Sequence, residues 1–356
     1  MLHRCTVSVF LVSLLAAATA QAADIFPVKA YTKPDEAIVV RFVNEKGEEG
    51  KKAVAELGVA AGKLDLFTAA PATEIATASG APLFKVYSAT GEEQKFEVGG
   101  VKPSTDGTVD LSAAYPKLKE GGTFFVTWKD APPLVIETLF NTSYPAFKAK
   151  IQSLSGDEKK AALERFGPMV THMELAEYAV ITTDKGVIKA KFAYDDAPHT
   201  IDNYISLARQ GFYDDSAFHR VIFNFMIQGG DSYANTAKAG QGGPGYDVPH
   251  EFSDKKHLRG VLSMARSSGD MASPTGKTIT TAEDTAGSQF FIMHGDSPNL
   301  DGGYTAFGDV FEGMNVVDAI AKTPTSDNNG TVKGDRPKIV SIRILPATAE
   351  IYRLKK

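Results

Sequence analysis

The sequence predicts a mainly β chain made of two globular units with a helical stretch between them. Three observations carry this. Short β-rich runs separated by turn signals fill residues 23–140. A helical pattern replaces them between Ser143 and Ala176, and from Tyr178 the apolar period returns to two. The 356 residues also exceed one ordinary domain.

In the first unit, Ala37–Val43 is a β-branched run, and Lys63–Phe67 alternates as KLDLF. Leu83–Tyr87, Lys95–Val98 and Thr123–Trp128 are further short strands. Turn signals recur between them at Lys46-Gly47, Ser79-Gly80, Thr90-Gly91, Gly99-Gly100 and Asp106-Gly107. Short strands at this spacing predict an antiparallel, sandwich-like unit. Trp128, the only tryptophan, is expected in its core. Residues 141–176 read as a helical connector, with Ser155 and Glu158 forming a capping box and Gly167-Pro168 a stop. The same pattern also fits a helical surface belonging to one of the units. The second unit, 177–348, opens with a hairpin turning at Asp184-Lys185-Gly186. Thr200–Arg209 carries apolar residues at helical spacing and ends before Gly211. A second helix is expected over Met314–Lys322 and a closing strand over Lys338–Ile344. Residues 349–356 form a tail.

Residues 1–22 read as a secretory signal. His3 and Arg4 precede an apolar run from Val7 to Ala18, and Ala20-Gln21-Ala22 supplies small residues before a cut. The run is shorter than the roughly 20 residues that span a bilayer, so no membrane span is expected after its removal. Cys5, the only cysteine, lies within it. The mature chain therefore has no thiol for a disulfide, a metal or nucleophilic catalysis, which is compatible with a periplasmic or secreted protein. The net charge of −5, without a basic stripe, gives no reason to expect nucleic acid as a partner. The Asp, Glu and His residues show no metal-ligand spacing, and neither metal nor cofactor is expected.

The most informative segment is FHRVIFNFMIQGGD, Phe218–Asp231. It combines one Arg, one Gln, aromatics and Met, with no nucleophile and no metal-ligand spacing. Such a set suits gripping an apolar group beside a polarised amide. GSQFFIMHGDSPNLDGGYTAFGDVFEGMNVVDAI follows at Gly287–Ile320. Together the two blocks resemble the cyclophilin family of peptidyl-prolyl cis–trans isomerases, over roughly Tyr178–Leu345. The resemblance implies an eight-stranded antiparallel barrel with a helix over each end, its interior filled and its site on an outer face.

It also implies the chemistry. An X–Pro bond changes isomer through a twisted amide, at an uncatalysed cost of about 18–20 kcal/mol. A fixed donor aimed at the localising nitrogen lone pair, or at the swinging carbonyl, binds that state best. The family's catalytic arginine falls on Arg220 within FHRV, and Gln228 both holds it and binds substrate backbone. Phe225, Met226, Phe291 and Leu300 match the walls of the proline slot. Strand alternation puts Phe225 and Met226 on opposite faces unless the strand kinks near Asn224. Gln289 and the Arg266-Ser267 backbone match the groove for the peptide before the proline, and Tyr304 stands where many members carry His. His219 alternates away from Arg220 and is expected to be a structural, hydrogen-bonding histidine.

Three departures stand out. Phe223-Asn224 replaces the family's usual Pro-Gly. Asn299, still counted among the binding residues, replaces an aromatic that contributes to cyclosporin binding. The loop between Ser267 and Ala286 is longer by roughly a dozen residues, either a tolerated insertion or an extension of the groove. The implied activity is cofactor-free isomerisation of proline-containing segments of client proteins. The alternative is a proline-peptide binding module, with the N-terminal unit as a docking module.

Overall fold

The computed structural model describes residues 23–29, 32, 36–45, 67–89, 91–97, 99–129, 131, 133–137, 140–142, 144–166, 177–266 and 285–346. The expected signal segment, residues 63–66 of the KLDLF strand, the Gly167-Pro168 stop, Ser267 with its loop through 284, and the 349–356 tail lie outside them.

The N-terminal unit contains two antiparallel sheets around one core. The first joins β1 (Ala23–Pro27), β2 (Val39–Glu45) and β3 (Phe67–Ala69), with β5 (Thr108–Asp110) also on β2. The second runs β4 (Lys85–Ser88), β6 (Thr123–Thr127), β7 (Leu134–Glu137), β8 (Phe140–Thr142). Val40 and Phe42 of the first sheet share a core with Val86, Val126 and Ile136 of the second. Trp128 is buried in it as expected, edge-on to Phe42 at 5.1 Å, with Nε1 donating to the Glu74 carbonyl at 2.9 Å. Its buried ring needs that one partner for its N–H.

One expectation needs correction. Lys95–Glu97 is not a strand: Phe96 is exposed, and Glu97 makes a single backbone bond to Ala114. A β-propensity run with no second strand to pair stays irregular. The helices described within 141–166 lie against the N-terminal unit, which fits the second reading of that stretch, a helical surface of one unit. α3 (Tyr144–Ser153) and α4 (Gly156–Phe166) follow two one-turn helices, α1 (Ala72–Ile75) and α2 (Leu111–Ala114). They bring Phe147, Ile151 and Phe166 against Phe125 and Val135, on the face of the second sheet turned away from the core. This is why β6 is apolar on both faces.

The C-terminal unit is a curled antiparallel sheet of nine strands in the order β11-β17-β9-β10-β16-β14-β15-β13-β12. The hairpin is β9 (Glu177–Thr183) and β10 (Gly186–Phe192), and β17 (Lys338–Pro346) closes on β9. The edge strands β11 (Ser216–Ala217) and β12 (Arg220–Ile222) are consecutive in the chain. Between them Phe218 N–H donates to Pro337 O and His219 N–H to Gln228 O. Read as one bent strand they give the expected eight.

Two helices close the ends, α5 (Pro198–Arg209) and α6 (Met314–Ala321). α5 is buried on nearly all sides. Tyr204, Ile205 and Ile201 face the barrel core. On another side Ser206 Oγ and Gln210 Nε2 donate to Pro27 O of the N-terminal unit at 3.3 and 3.1 Å, and Arg209 pairs with Glu177.

The site follows from strand alternation across β13 (Met226–Gly229), β15 (Phe290–Met293) and β14 (Val261–Met264). Ile227, Ile292 and Leu262 are neighbours in register and belong to the barrel core. Their chain neighbours Gln228, Phe291 and Ser263 form the next row, pointing to the opposite face. Met226 and Met293 also lie on that face, in a second apolar cluster with Leu300 and Ala306 of β16 (Ala306–Glu312).

Candidate active site

A cleft of about 1050 Å³ opens over this outer face. Arg220, Gln228, Phe225, Met226, Arg266, Gln289, Phe291, Leu300 and Tyr304 all line it. Asn299 does not: it is exposed on the short 3-10 turn Pro298–Leu300, whose last residue turns inward.

The polar half is a relay. Arg220 and Gln228 are register partners on adjacent strands. Arg220 Nη1 donates to Gln228 Oε1 at 3.0 Å, and Nε donates to the Asn329 carbonyl at 2.8 Å. Gln228 Nε2 donates to Gln289 Oε1 at 3.0 Å. Gln289 Nε2 in turn donates to Gly242 O at 2.8 Å and Gly240 O at 3.1 Å. Two of the guanidinium's nitrogens are therefore fixed by the protein. Nη2 has no hydrogen-bond partner among the described residues. Burial lowers the Arg220 pKa, opposed by Tyr304 and Asp327. From its very high starting value the group stays cationic. Asp214 is engaged by Arg343 at 2.7 Å, so it does not compete for Arg220.

The apolar half is a slot walled by Met226, Phe291 and Leu300, with Phe225 and Tyr304 partly buried at its edge. Phe291 and Tyr304 meet edge to face at 5.9 Å, and the Arg266 guanidinium lies 4.7 Å from the Tyr304 ring centre. Phe225 and Met226 share the cleft because the strand does break between them and β12: Asn224 is left-handed, at φ +59°, in a turn closed by Phe225 N–H on Ile222 O.

His219 corrects an expectation. It lines the cleft, and neither ring nitrogen has a partner among the described residues. Burial pushes its pKa down to about 4, with Arg336 and Arg220 adding to the effect against Asp231. The nearby Asp231 carboxylate is already engaged by the N–H groups of Tyr233 and Gly240.

Three parts of the site escaped the sequence reading. The Gly240–Gly245 segment anchors Gln289, and its glycine density was the available signal. Asn329 holds Arg220 from 109 residues away. His257 stacks behind Phe291 at 6.2 Å, with its ring nitrogens 3.2 Å from Asp301 Oδ1 and 3.0 Å from Ser263 Oγ. Neither of these last two has a local pattern.

Comparison with known proteins bears on the family. Residues 178–344 match the family described as cyclophilin type peptidyl-prolyl cis-trans isomerase/CLD. A peptidyl-prolyl cis-trans isomerase of Synechococcus elongatus is 39% identical over 171 residues, covering 48% of this chain and 98% of its own. One from Helicobacter pylori is 41% identical over 153 residues, covering 41% of this chain and 83% of its own. A crystal structure of a Cryptosporidium parvum cyclophilin type peptidyl-prolyl cis-trans isomerase, determined in the presence of the dipeptide Ala-Pro, is 30% identical with a TM-score of 0.40, covering 48% of this chain and 99% of that one. A slot beside a fixed guanidinium and a relative matched over nearly its whole length lead to one conclusion: this chain belongs to the cyclophilin family of peptidyl-prolyl cis–trans isomerases.

Proposed function

We propose that the protein assists folding outside the cytoplasm by turning over X–Pro bonds in flexible segments of client proteins, through non-covalent stabilisation of the twisted amide. The observation that carries the mechanism is the state of Arg220. Two of its donors are fixed by Gln228 Oε1 and Asn329 O, while Nη2 has no partner among the described residues and the side chain lines the cleft beside the slot. The slot holds the pyrrolidine ring still. As the preceding carbonyl swings and the nitrogen turns pyramidal, the cation meets the lone pair that resonance no longer delocalises. A donor fixed before the reaction needs no reorganisation, so it favours the twisted state over both planar ones. No proton moves, and the unpaired His219 is not required as a base. Gln289 and Arg266 bind the peptide ahead of the proline; Ser267, expected beside them, lies outside the described residues.

The location rests on the sequence of residues 1–22, with cleavage after Ala22 expected on N-terminal sequencing of the mature protein. Among the described residues no helix is long and apolar enough to cross a membrane.

The test is proline isomerisation by the full chain, followed by exchange NMR on an Ala-Pro peptide without a coupled protease. Arg220→Ala should lower kcat/KM by at least about tenfold, some 1.4 kcal/mol of barrier. Unchanged turnover in a folded variant refutes the mechanism. A full chain that binds the peptide without turnover makes it a binding module.

A further inference from the structure

The Phe223-Asn224 turn departs from the family pattern, and its supports lie outside the cleft. His294 follows β15 directly and is buried. Its backbone N–H donates to Phe225 O at 2.8 Å, and Gly295 N–H reaches the same oxygen at 3.2 Å. Its side chain completes the bracket: the Asn224 N–H donates to His294 Nδ1 at 2.9 Å. The Phe223 ring lies over the imidazole at 5.0 Å. A left-handed Asn is thus held from three sides, one residue before Phe225, a wall of the proline slot.

A backbone N–H can only donate, so Nδ1 must present a lone pair. The ring proton then sits on Nε2, which faces Asp318 Oδ1 at 3.2 Å. A second proton would go to Nδ1, where it would oppose the Asn224 N–H and remove the bond. We propose that neutral His294 is a positioning residue for the isomerase site: its Nδ1 lone pair pins the turn that presents Phe225, so uptake of a second ring proton loosens the slot and lowers turnover. This rests on the reading of the cleft as a proline site.

The charges around the ring come from three elements. From α6, Asp318 favours the proton and Lys322 opposes it. From the turn before β14, Arg259 opposes it, donating to His294 O at 2.7 Å and to Asp318 Oδ1 at 2.6 Å. From the loop after His294, Asp296 accepts the Arg259 N–H at 2.7 Å. Arg259 thus shares the same Asp318 oxygen with the imidazole. Burial and Arg259 hold the His294 pKa below the ordinary imidazole value. The ring is therefore neutral at neutral pH, and the loss of activity belongs on the acid side, below about pH 6.5.

The experiment uses the full chain and exchange NMR from about pH 5 to pH 8. Wild-type kcat/KM should fall on the acid side, and the Asn224 amide resonance should titrate together with the His294 ring in the absence of peptide. His294→Ala should lose about fivefold at neutral pH. His294→Asn places an acceptor oxygen where Nδ1 stood, so it should recover most of that loss and flatten the acid limb; His257 is present in both proteins and cancels. An Asn224 amide that ignores the His294 titration, or an acid limb in His294→Asn equal to wild type, overturns the proposal. An Asn224 amide that titrates in a protein without isomerase activity upholds the hydrogen-bond bracket and fails the reading of the site instead.

Discussion

Gly330→Ala should weaken catalysis without touching the cleft. Gly330 sits at φ +83°, and an added Cβ would overlap the Val221 carbonyl oxygen and come to 2.5 Å from Ile222 Cγ1 and 2.9 Å from Val221 C. Two of these atoms are backbone, so the loop must retreat by roughly half an ångström to clear them. The preceding residue is Asn329, whose carbonyl accepts from Arg220 Nε at 2.8 Å. The same retreat takes that bond beyond about 3.2 Å. A hydrogen bond to a charged group contributes about 1.5–3 kcal/mol. Losing roughly half of it, about 1 kcal/mol, leaves the guanidinium less fixed and lowers kcat/KM about fivefold. Alanine in the left-handed region costs a further ~1–2 kcal/mol of stability. Gly334 is the control: its φ is +78° but nothing lies within 4 Å of where an alanine Cβ would stand. Gly334→Ala should show the stability cost in urea melts and leave the isomerase rate alone. Equal rates for the two variants, both folded, refute the idea that Asn329 holds the catalytic cation in place.

Acid should destabilise the fold through His199 and His219. Burial pushes both pKa values down to about 4, Lys150 adding to the effect at His199. The unfolded chain therefore takes up these protons first. Their contribution is complete above about pH 6.5 and is lost as pH falls toward 4, at about 2 kcal/mol per pH unit for the pair. Equal urea midpoints at pH 7 and pH 5 would contradict this. Cyclosporin should bind poorly because Asn299 is a short exposed amide where the family carries an aromatic. Asn299→Trp should recover on the order of 2–4 kcal/mol in an inhibitor titration, and tight inhibition of the unmodified chain would show that Asn299 does not occupy the inferred place.

What the sequence made legible was local. FHRVIFNFMIQGGD placed Arg220, Phe225, Met226 and Gln228 around one cleft, and strand alternation called for the kink that Asn224 supplies through its left-handed φ. The helix over Pro198–Arg209 followed from its apolar spacing. What stayed hidden depends on partners distant in the chain. Lys95–Glu97 has strand propensity but no second strand. His257 gains its meaning from Asp301 and Ser263, and Asn329 from Arg220. The apolar face that α3 and α4 cover is written in β6, yet nothing in β6 names its cover.

The helix α5 has a consequence for the cleft. On one side Ser206 and Gln210 are tied to the Pro27 carbonyl. On another, Asn203 Nδ2 donates to Gly287 O at 2.7 Å, and Tyr246 donates its hydroxyl proton to Asn203 Oδ1 at 2.6 Å. Gly287 and Tyr246 both line the cleft. A helix with water along one side can roll slightly as its loops breathe; this one would have to break bonds on both sides at once. Through Pro27 the N-terminal unit braces this helix from outside the barrel, although none of its described residues lines the cleft, so trimming it away should slacken the far end of the groove without removing a residue of its wall.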